Sequence, residues 1–165
     1  MQNPKAIIVD ENDNPIGLKY RSELDPLQDI YRVSGVWITN SKGEVLIAQR
    51  KLTKKKDPGL WSTAVVGTIE EGETYESNAY KESAEELGLQ DITLELGPKT
   101  FFNSPNKFFG QLFFCKVDKP AKDFVIQEEE VEQIVWINFE TLKKDVKENP
   151  HKYTPTLPKI IEILK

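Results

Sequence analysis

The chain alternates apolar and polar positions with a two-residue period over much of its length and changes to a helical period in three places. Residues 6–20, AIIVDENDNPIGLKY, read as strand, polar turn and strand, the turn chemistry lying at 10–15. RSELDPLQDI follows as a loop with one helical turn, interrupted at Pro26. Residues 33–39 and 45–49 are β-prone and joined by NSKGE, which predicts a hairpin. A basic loop, LTKKKDPGLW, leads into STAVVG, a short buried strand ending at Gly67. Residues 74–87 predict a helix, with Thr74 as N-cap, Glu76 in the first turn and Gly88 ending it. Its apolar arc, Ala79, Tyr80, Ala84 and Leu87, is expected to face the core. ITLEL, KTFFNS and KFFGQLFFCKVD predict three further strands, and EEEVEQIVWI an acidic loop entering a strand. NFETLKKDVKENP and LPKIIEILK read as two closing helices.

Strands on both sides of one central helix, with helices at the end, predict a mixed α/β sandwich of the α+β type. The expected organisation is a single domain over 1–165, with an N-terminal β-hairpin at about 5–21 and C-terminal helices at about 138–165. No repeat or linker interrupts it.

Composition narrows the function classes. A formal charge of −5 gives no reason to expect a nucleic acid or an anionic membrane as partner. A single cysteine, Cys115, excludes an intramolecular disulfide and suits a reducing compartment. The first residues lack a basic head and apolar stretch, so a cytoplasmic location is expected. The oligomeric state stays open, a homodimer included.

The crowding of acid is the chemical signal. Residues 67–89, GTIEEGETYESNAYKESAEELGL, hold seven glutamates. On a helix, Glu82, Glu85 and Glu86 stand at i, i+3 and i+4 and share one patch. A solvated acidic face is the plain reading of that spacing. The other is a hard-cation site, since clustered carboxylates are what Mg²⁺ and Mn²⁺ require. Two like charges 4 Å apart cost about 1 kcal/mol in water and about 4 at the effective dielectric of a cleft. Carboxylates gathered in a cleft therefore need a cation or raised pKa values.

Gly67, five residues, Glu73, seven residues, then KESAEELGL resembles the Nudix hydrolase signature G-x5-E-x7-R-E-U-x-E-E-x-G-U, where U is bulky and aliphatic. Gly67, Glu73, Glu82, Glu85, Glu86, Gly88 and Leu89 match it. Lys81 stands in place of the arginine and Ser83 in place of the aliphatic residue. Lys81 keeps the charge but not the planar fork, and Ser83 gives up packing on the core side of the helix. Residues 31–67, with the opening VDENDNPIG, are similar to isopentenyl-diphosphate isomerases and their hydrolase-like relatives. Such isomerases use a cysteine just before the box glycine and three histidines at a metal. Val66 holds the cysteine position, Thr68 follows the glycine, and His151 is the only histidine. Isomerisation is not expected.

The resemblance implies a Nudix-like α/β/α sandwich that hydrolyses a diphosphate linkage in a nucleoside diphosphate derivative or related organic diphosphate with Mg²⁺ or Mn²⁺. Glu82, Glu85 and Glu86 would hold the metal, and one of them would receive the proton of the attacking water. Gly67 would allow a tight turn, Gly88 would end the helix, and Glu73 would meet Lys81. Glu130, six residues before Trp136, would add a further carboxylate, with Glu129 as its rival. Arg50 and Lys51, with Lys54 to Lys56, would meet substrate phosphates. The competing class is a binding module without turnover. His151 reads as a surface histidine. Cys115, Trp61, Trp136 and most of Phe101, Phe102, Phe108 and Phe109 read as core.

Overall fold

A computed structural model of the protein describes residues 3–165. Strands β1 (Lys5–Val9) and β2 (Pro15–Tyr20) form the expected N-terminal hairpin. Asp10 closes its turn, accepting the Asn12 and Asn14 amides at 2.8 and 2.9 Å. The loop that follows contains one 3₁₀ turn, Arg21–Glu23.

Strand β3 (Ile30–Thr39) is the axis of a nine-stranded mixed sheet. One edge runs parallel to β8 (Phe108–Lys116) over its whole length, from Tyr31–Phe108 to Thr39–Lys116. Its other edge is shared by β1, β6 (Val65–Thr68) and β4 (Glu44–Arg50) in turn, all antiparallel. β3 and β4 share a single ladder pair, Thr39–Val45, before they separate. β5 (Trp61–Thr63) then pairs with β4 while β6 pairs with β3. The segment STAVVG, expected as one strand, is thus divided at Ala64 between two partners, because the splayed pair leaves each an unpaired edge to satisfy. β9 (Val131–Asn138) covers the far side of β4.

A second correction concerns ITLEL and KTFFNS. They form one strand, β7 (Glu95–Phe102), which pairs with β8 through an irregularity between Leu96 and Lys99. Gly97 and Pro98 lie there, and the missing Pro98 N–H makes a bulge the natural accommodation.

Alternation along the central strands decides the layers. Val36 and Ile38 of β3, Leu46 of β4 and Phe113 of β8 pack with Ala79 and Leu87 of helix α1 (Tyr75–Leu87). Trp37, Val45, Ile47 and Leu112, one position out of phase, pack with α2 (Phe139–Glu148) and α3 (Leu157–Ile163). Neighbouring residues of a strand point to opposite faces, so α1 covers one side and the closing helices the other. The expected α/β/α sandwich is present. Cys115 is buried, His151 is exposed, and Trp61 and Trp136 pack at the margins of the two cores. Phe102 and Phe108 are buried, whereas Phe101 is 37% exposed. No helix among the described residues is long and apolar enough to cross a membrane.

Candidate active site

The site is built on the junction of β6 with α1. The ends of the helix are secured locally, as the sequence indicates. Thr74 Oγ1 accepts the Ser77 amide at 3.0 Å and Ser77 Oγ accepts the Thr74 amide at 2.9 Å, a capping box. Gly88 adopts φ 65°, and its amide and that of Leu89 return to Ala84 and Ser83.

The buried stripe of α1 differs from the expected arc. Asn78, Ala79, Ser83 and Leu87 are buried, while Tyr80 is 37% exposed and Ala84 only partly covered. Hydrophobicity assigned the wrong edge because two polar residues on the inner face have their hydrogen bonds satisfied there. Ser83 Oγ donates to Ala79 O at 2.8 Å. Asn78 donates to Thr68 O at 3.1 Å and to Glu73 Oε2 at 2.8 Å, and accepts from Ser34 on β3. Asn78 ties the sheet, the helix and the loop between them together. An asparagine inside a helix, where its propensity is poor, was the available signal for it.

Glu73 braces that loop. Its carboxylate also accepts the Glu70 amide at 2.9 Å and lies 2.5 Å from Lys81 Nζ. Burial pushes the Glu73 carboxyl up, but Lys81, the Glu70 amide and Asn78 outweigh it and hold it below the usual range. Lys81 stands 3.6 Å from Glu70 and 3.7 Å from Glu82 as well, a point charge shared by three carboxylates. The expected Glu73–Lys81 contact is formed, and lysine serves it without a planar fork.

Gly67 has a different role from the one expected. It lies within β6 rather than at a tight turn, and its φ is not positive. Its requirement is steric, since a Cβ there would come within 2.7 Å of Glu82 Cδ and 2.9 Å of Asn78 Oδ1.

A cleft of about 430 Å³ opens over this junction. Glu82, Glu85 and Glu86 line it from α1 and Glu130 from the loop before β9. Glu128 and Glu129 are exposed and do not line it. Burial raises the Glu82 carboxyl to about 7, with Lys81 pulling it down and Glu85, Glu73 and Glu70 pushing it further up. Burial pushes Glu86 well above its ordinary value, and Glu82 and Glu130 add to that, against the Val66 backbone and Arg50. Ionised together, these groups are only partly offset, by Lys81 at Glu82 and Lys54 at Glu130. All-oxygen donors short of positive charge fit a hard divalent cation. Among the described residues no three His, Cys, Asp or Glu side chains converge as a ready-made cage.

Basic residues share the cleft with the carboxylates. Arg50, Lys54 and Lys56 line it. Arg50 Nε and Nη2 donate to Lys56 O at 3.0 and 2.9 Å, and Lys54 Nζ lies 2.6 Å from Glu130 Oε2. Lys51, expected beside Arg50, does not line the cleft and pairs with Glu132 at 3.3 Å. Arg50 ends β4 and Lys51 lies beyond it, where the chain turns toward Glu132. Val66 is 40% exposed at the cleft, where the isomerase cysteine would stand.

A profile of the Nudix domain matches residues 30–157. The chain belongs to the Nudix family. Its Nudix relatives include an uncharacterized Nudix hydrolase of Pseudomonas aeruginosa, 33% identical over 144 residues, covering 87% of this chain and 83% of that one. An isopentenyl-diphosphate Δ-isomerase of Photorhabdus laumondii is 27% identical, covering 94% and 89%. A prenyl-diphosphate phosphatase of Methanosarcina mazei is 28% identical, covering 95% and 93%. A crystal structure from Deinococcus radiodurans superposes with a TM-score of 0.85 at 20% identity, over 96% of this chain and 97% of that one. The protein is a Nudix pyrophosphohydrolase acting on diphosphate compounds, in a family that generally uses divalent metal ions.

Proposed function

We propose that the protein catalyses divalent-metal-dependent hydrolysis of the diphosphate linkage in a nucleoside diphosphate derivative or related organic diphosphate. The observation that carries this reading is one cleft lined together by Glu82, Glu85, Glu86 and Glu130 and by Arg50, Lys54 and Lys56. Glu82, Glu85 and Glu86 would hold Mg²⁺ or Mn²⁺, with Glu130 as a fourth carboxylate. When bound, the cation neutralises phosphate oxygens and makes the attacking water more acidic.

Arg50 and Lys54 orient the diphosphate by its outer oxygens. The water oxygen bonds to phosphorus, its proton passes to a cleft glutamate, and the bridging P–O bond breaks with its electron pair leaving on the departing phosphate. Glu73 and Asn78 do not line the cleft, and Lys81 lies beside Glu82. They hold the loop and helix so that the carboxylates keep their places.

A second reading of the substrate has its own support. One arm of the cleft is lined by Val33, Phe102, Phe108, Leu112, Ile160 and Ile163. Such a surface gains by covering a hydrocarbon group, at about 25 cal/mol per Å². With a prenyl-diphosphate phosphatase among the relatives, this favours a diphosphate carrying an apolar chain.

The experiment is phosphate release from two panels, nucleoside diphosphate derivatives and isoprenoid diphosphates, with Mg²⁺, with Mn²⁺ and with chelator. Metal-dependent release from either panel is expected. Silence from both with either ion would defeat the proposal.

A further inference from the structure

Gly35 lies in the middle of β3, the central strand of the sheet, and is partly exposed there. Glycine weakens a strand interior, and one found there marks a bulge, a bend or the close approach of another group. Local geometry supplies no reason for this one. The ladders to β6 and β8 run through Gly35 without a register shift, and its φ is not positive. A Cβ there would stand 3.4 Å from Leu112 Cδ1 and 3.6 Å from Val65 O, ordinary contact distances. Gly110, which also lines the cleft, is the contrast, since its Cβ would come within 2.9 Å of Phe102 Cε2. Packing accounts for Gly110 and leaves Gly35 to be explained.

The cleft lies over it. The ladder partners of Gly35 are Val66 on β6 and Leu112 on β8, and partners across a ladder share a face. Val33, two positions back along β3, is on that face too. All four line the cleft, with Ile160 of α3 beside them, and Val66 is exposed there. This apolar floor adjoins the carboxylates, because the Val66 amide donates to the Glu86 carboxylate. Gly35 is one strand further on, a step of about 4.8 Å. A group bonded to a diphosphate held at the carboxylates is thereby brought over the bare backbone of Gly35. Val33, Val66 and Leu112 offer it no hydrogen bond, so a hydrocarbon gains by lying on them, whereas a nucleobase there finds no polar partner.

We propose that Gly35 is a specificity-determining position of the cleft, its missing side chain forming the seat for the hydrocarbon group of an organic diphosphate. This rests on the second substrate reading above, a diphosphate carrying an apolar chain. A side chain at this position fills the seat from the floor, and the backbone accepts one without strain.

The test is calorimetry with Mg²⁺ and diphosphate analogues whose bridging oxygen is replaced by a methylene, so that binding is read without turnover. Methylenediphosphonate alone, its geranyl ester and its adenosine ester are compared on the wild type, Gly35→Ala and Gly35→Val. In the wild type the geranyl group is expected to tighten binding over the bare diphosphonate, and by more than adenosine does. Gly35→Val is expected to bind the geranyl ester roughly tenfold or more weakly, and Gly35→Ala to lose less in the same direction. The loss falls on the ester and not on the bare compound. Both variants are expected to melt at or above the wild type, since a Cβ has room, and if Gly35→Val does not fold, Gly35→Ala decides alone. Equal losses for the ester and the bare compound mark a structural role and overturn the proposal, as does an unchanged ester affinity in the variants. No gain from the geranyl group in the wild type, or a larger gain from adenosine, overturns the hydrocarbon seat and leaves the hydrolysis reading standing. A wild type that binds the geranyl ester as expected but releases phosphate from no diphosphate defeats the hydrolysis reading, and the binding ratios then judge Gly35 independently.

Discussion

Gly67 and Glu82 are in direct contact across the strand–helix junction, with no room for a side chain between them. The spacing between the first glycine and the first glutamate of the box is therefore a packing relationship. Helix α1 can bring Glu82 to the cleft only because β6 presents bare backbone to it. Gly67→Ala is expected to displace Glu82 and Asn78, lowering stability by about 1–3 kcal/mol and weakening Mg²⁺ binding measured by calorimetry. A variant with wild-type melting and metal affinity would show that the junction yields freely.

Glu86 is the most deeply enclosed carboxylate of the cleft and sits against both Glu82 and Glu130. Glu86→Gln is expected to lower turnover by about a hundredfold or more, on the order of 3 kcal/mol in barrier. The melting temperature of the metal-free protein should hold or rise, because a repelling charge is removed. Turnover at the wild-type level would remove Glu86 from the chemistry.

Ser83 is fully buried and bonded to Ala79 O. A larger chain there must be accommodated inside the packed interior and gives up the Ala79 bond. Ser83→Leu is expected to destabilise by about 1–3 kcal/mol through overpacking, while Ser83→Ala stays within about 1 kcal/mol. Chemical denaturation of both variants checks this, and a stabilised Ser83→Leu would contradict it.

Glu130 lines the cleft and pairs with Lys54, whereas Glu129 is exposed. Glu130→Gln should change turnover and its dependence on Mg²⁺, and Glu129→Gln neither. The comparison is made at limiting and saturating metal. Equal behaviour of the two would strike Glu130 from the site.

Asp13 anchors the N-terminal hairpin to the rest of the domain. Its carboxylate is 8% exposed and lies 2.7 Å from both Arg32 and Lys99, with the Tyr75 hydroxyl at 3.0 Å. Burial pushes its pKa up, but Lys99, Arg32 and Tyr75 together take it below 3.8. A depressed carboxyl contributes stability in full above its unfolded value and loses it as pH falls through the folded one. Asp13→Asn should therefore cost about 2 kcal/mol near neutrality, discounted for the exposure of Lys99, and flatten the fall in stability below about pH 4. An acid limb identical to the wild type would refute this.

Local geometry made part of this protein legible in its sequence. The ends of α1 follow from Thr74 and Gly88, and the shared face of Glu82, Glu85 and Glu86 from a 3.6-residue repeat. Glu73, just before the N-cap of α1, meets Lys81 two turns along it, as the family resemblance implied. Tertiary structure decided what depends on distant partners. It divided residues 61–68 between β4 and β3, turned Lys51 away from Arg50 toward Glu132, and put Asn78 and Ser83 on the inner face in place of Tyr80 and Ala84. It also explained Gly67 by steric contact with Glu82 rather than by a turn. Hydrophobicity ranks residues one at a time. Which polar group can afford burial is settled only when another segment supplies its hydrogen bond, as Ser34 does for Asn78 across 44 residues of chain.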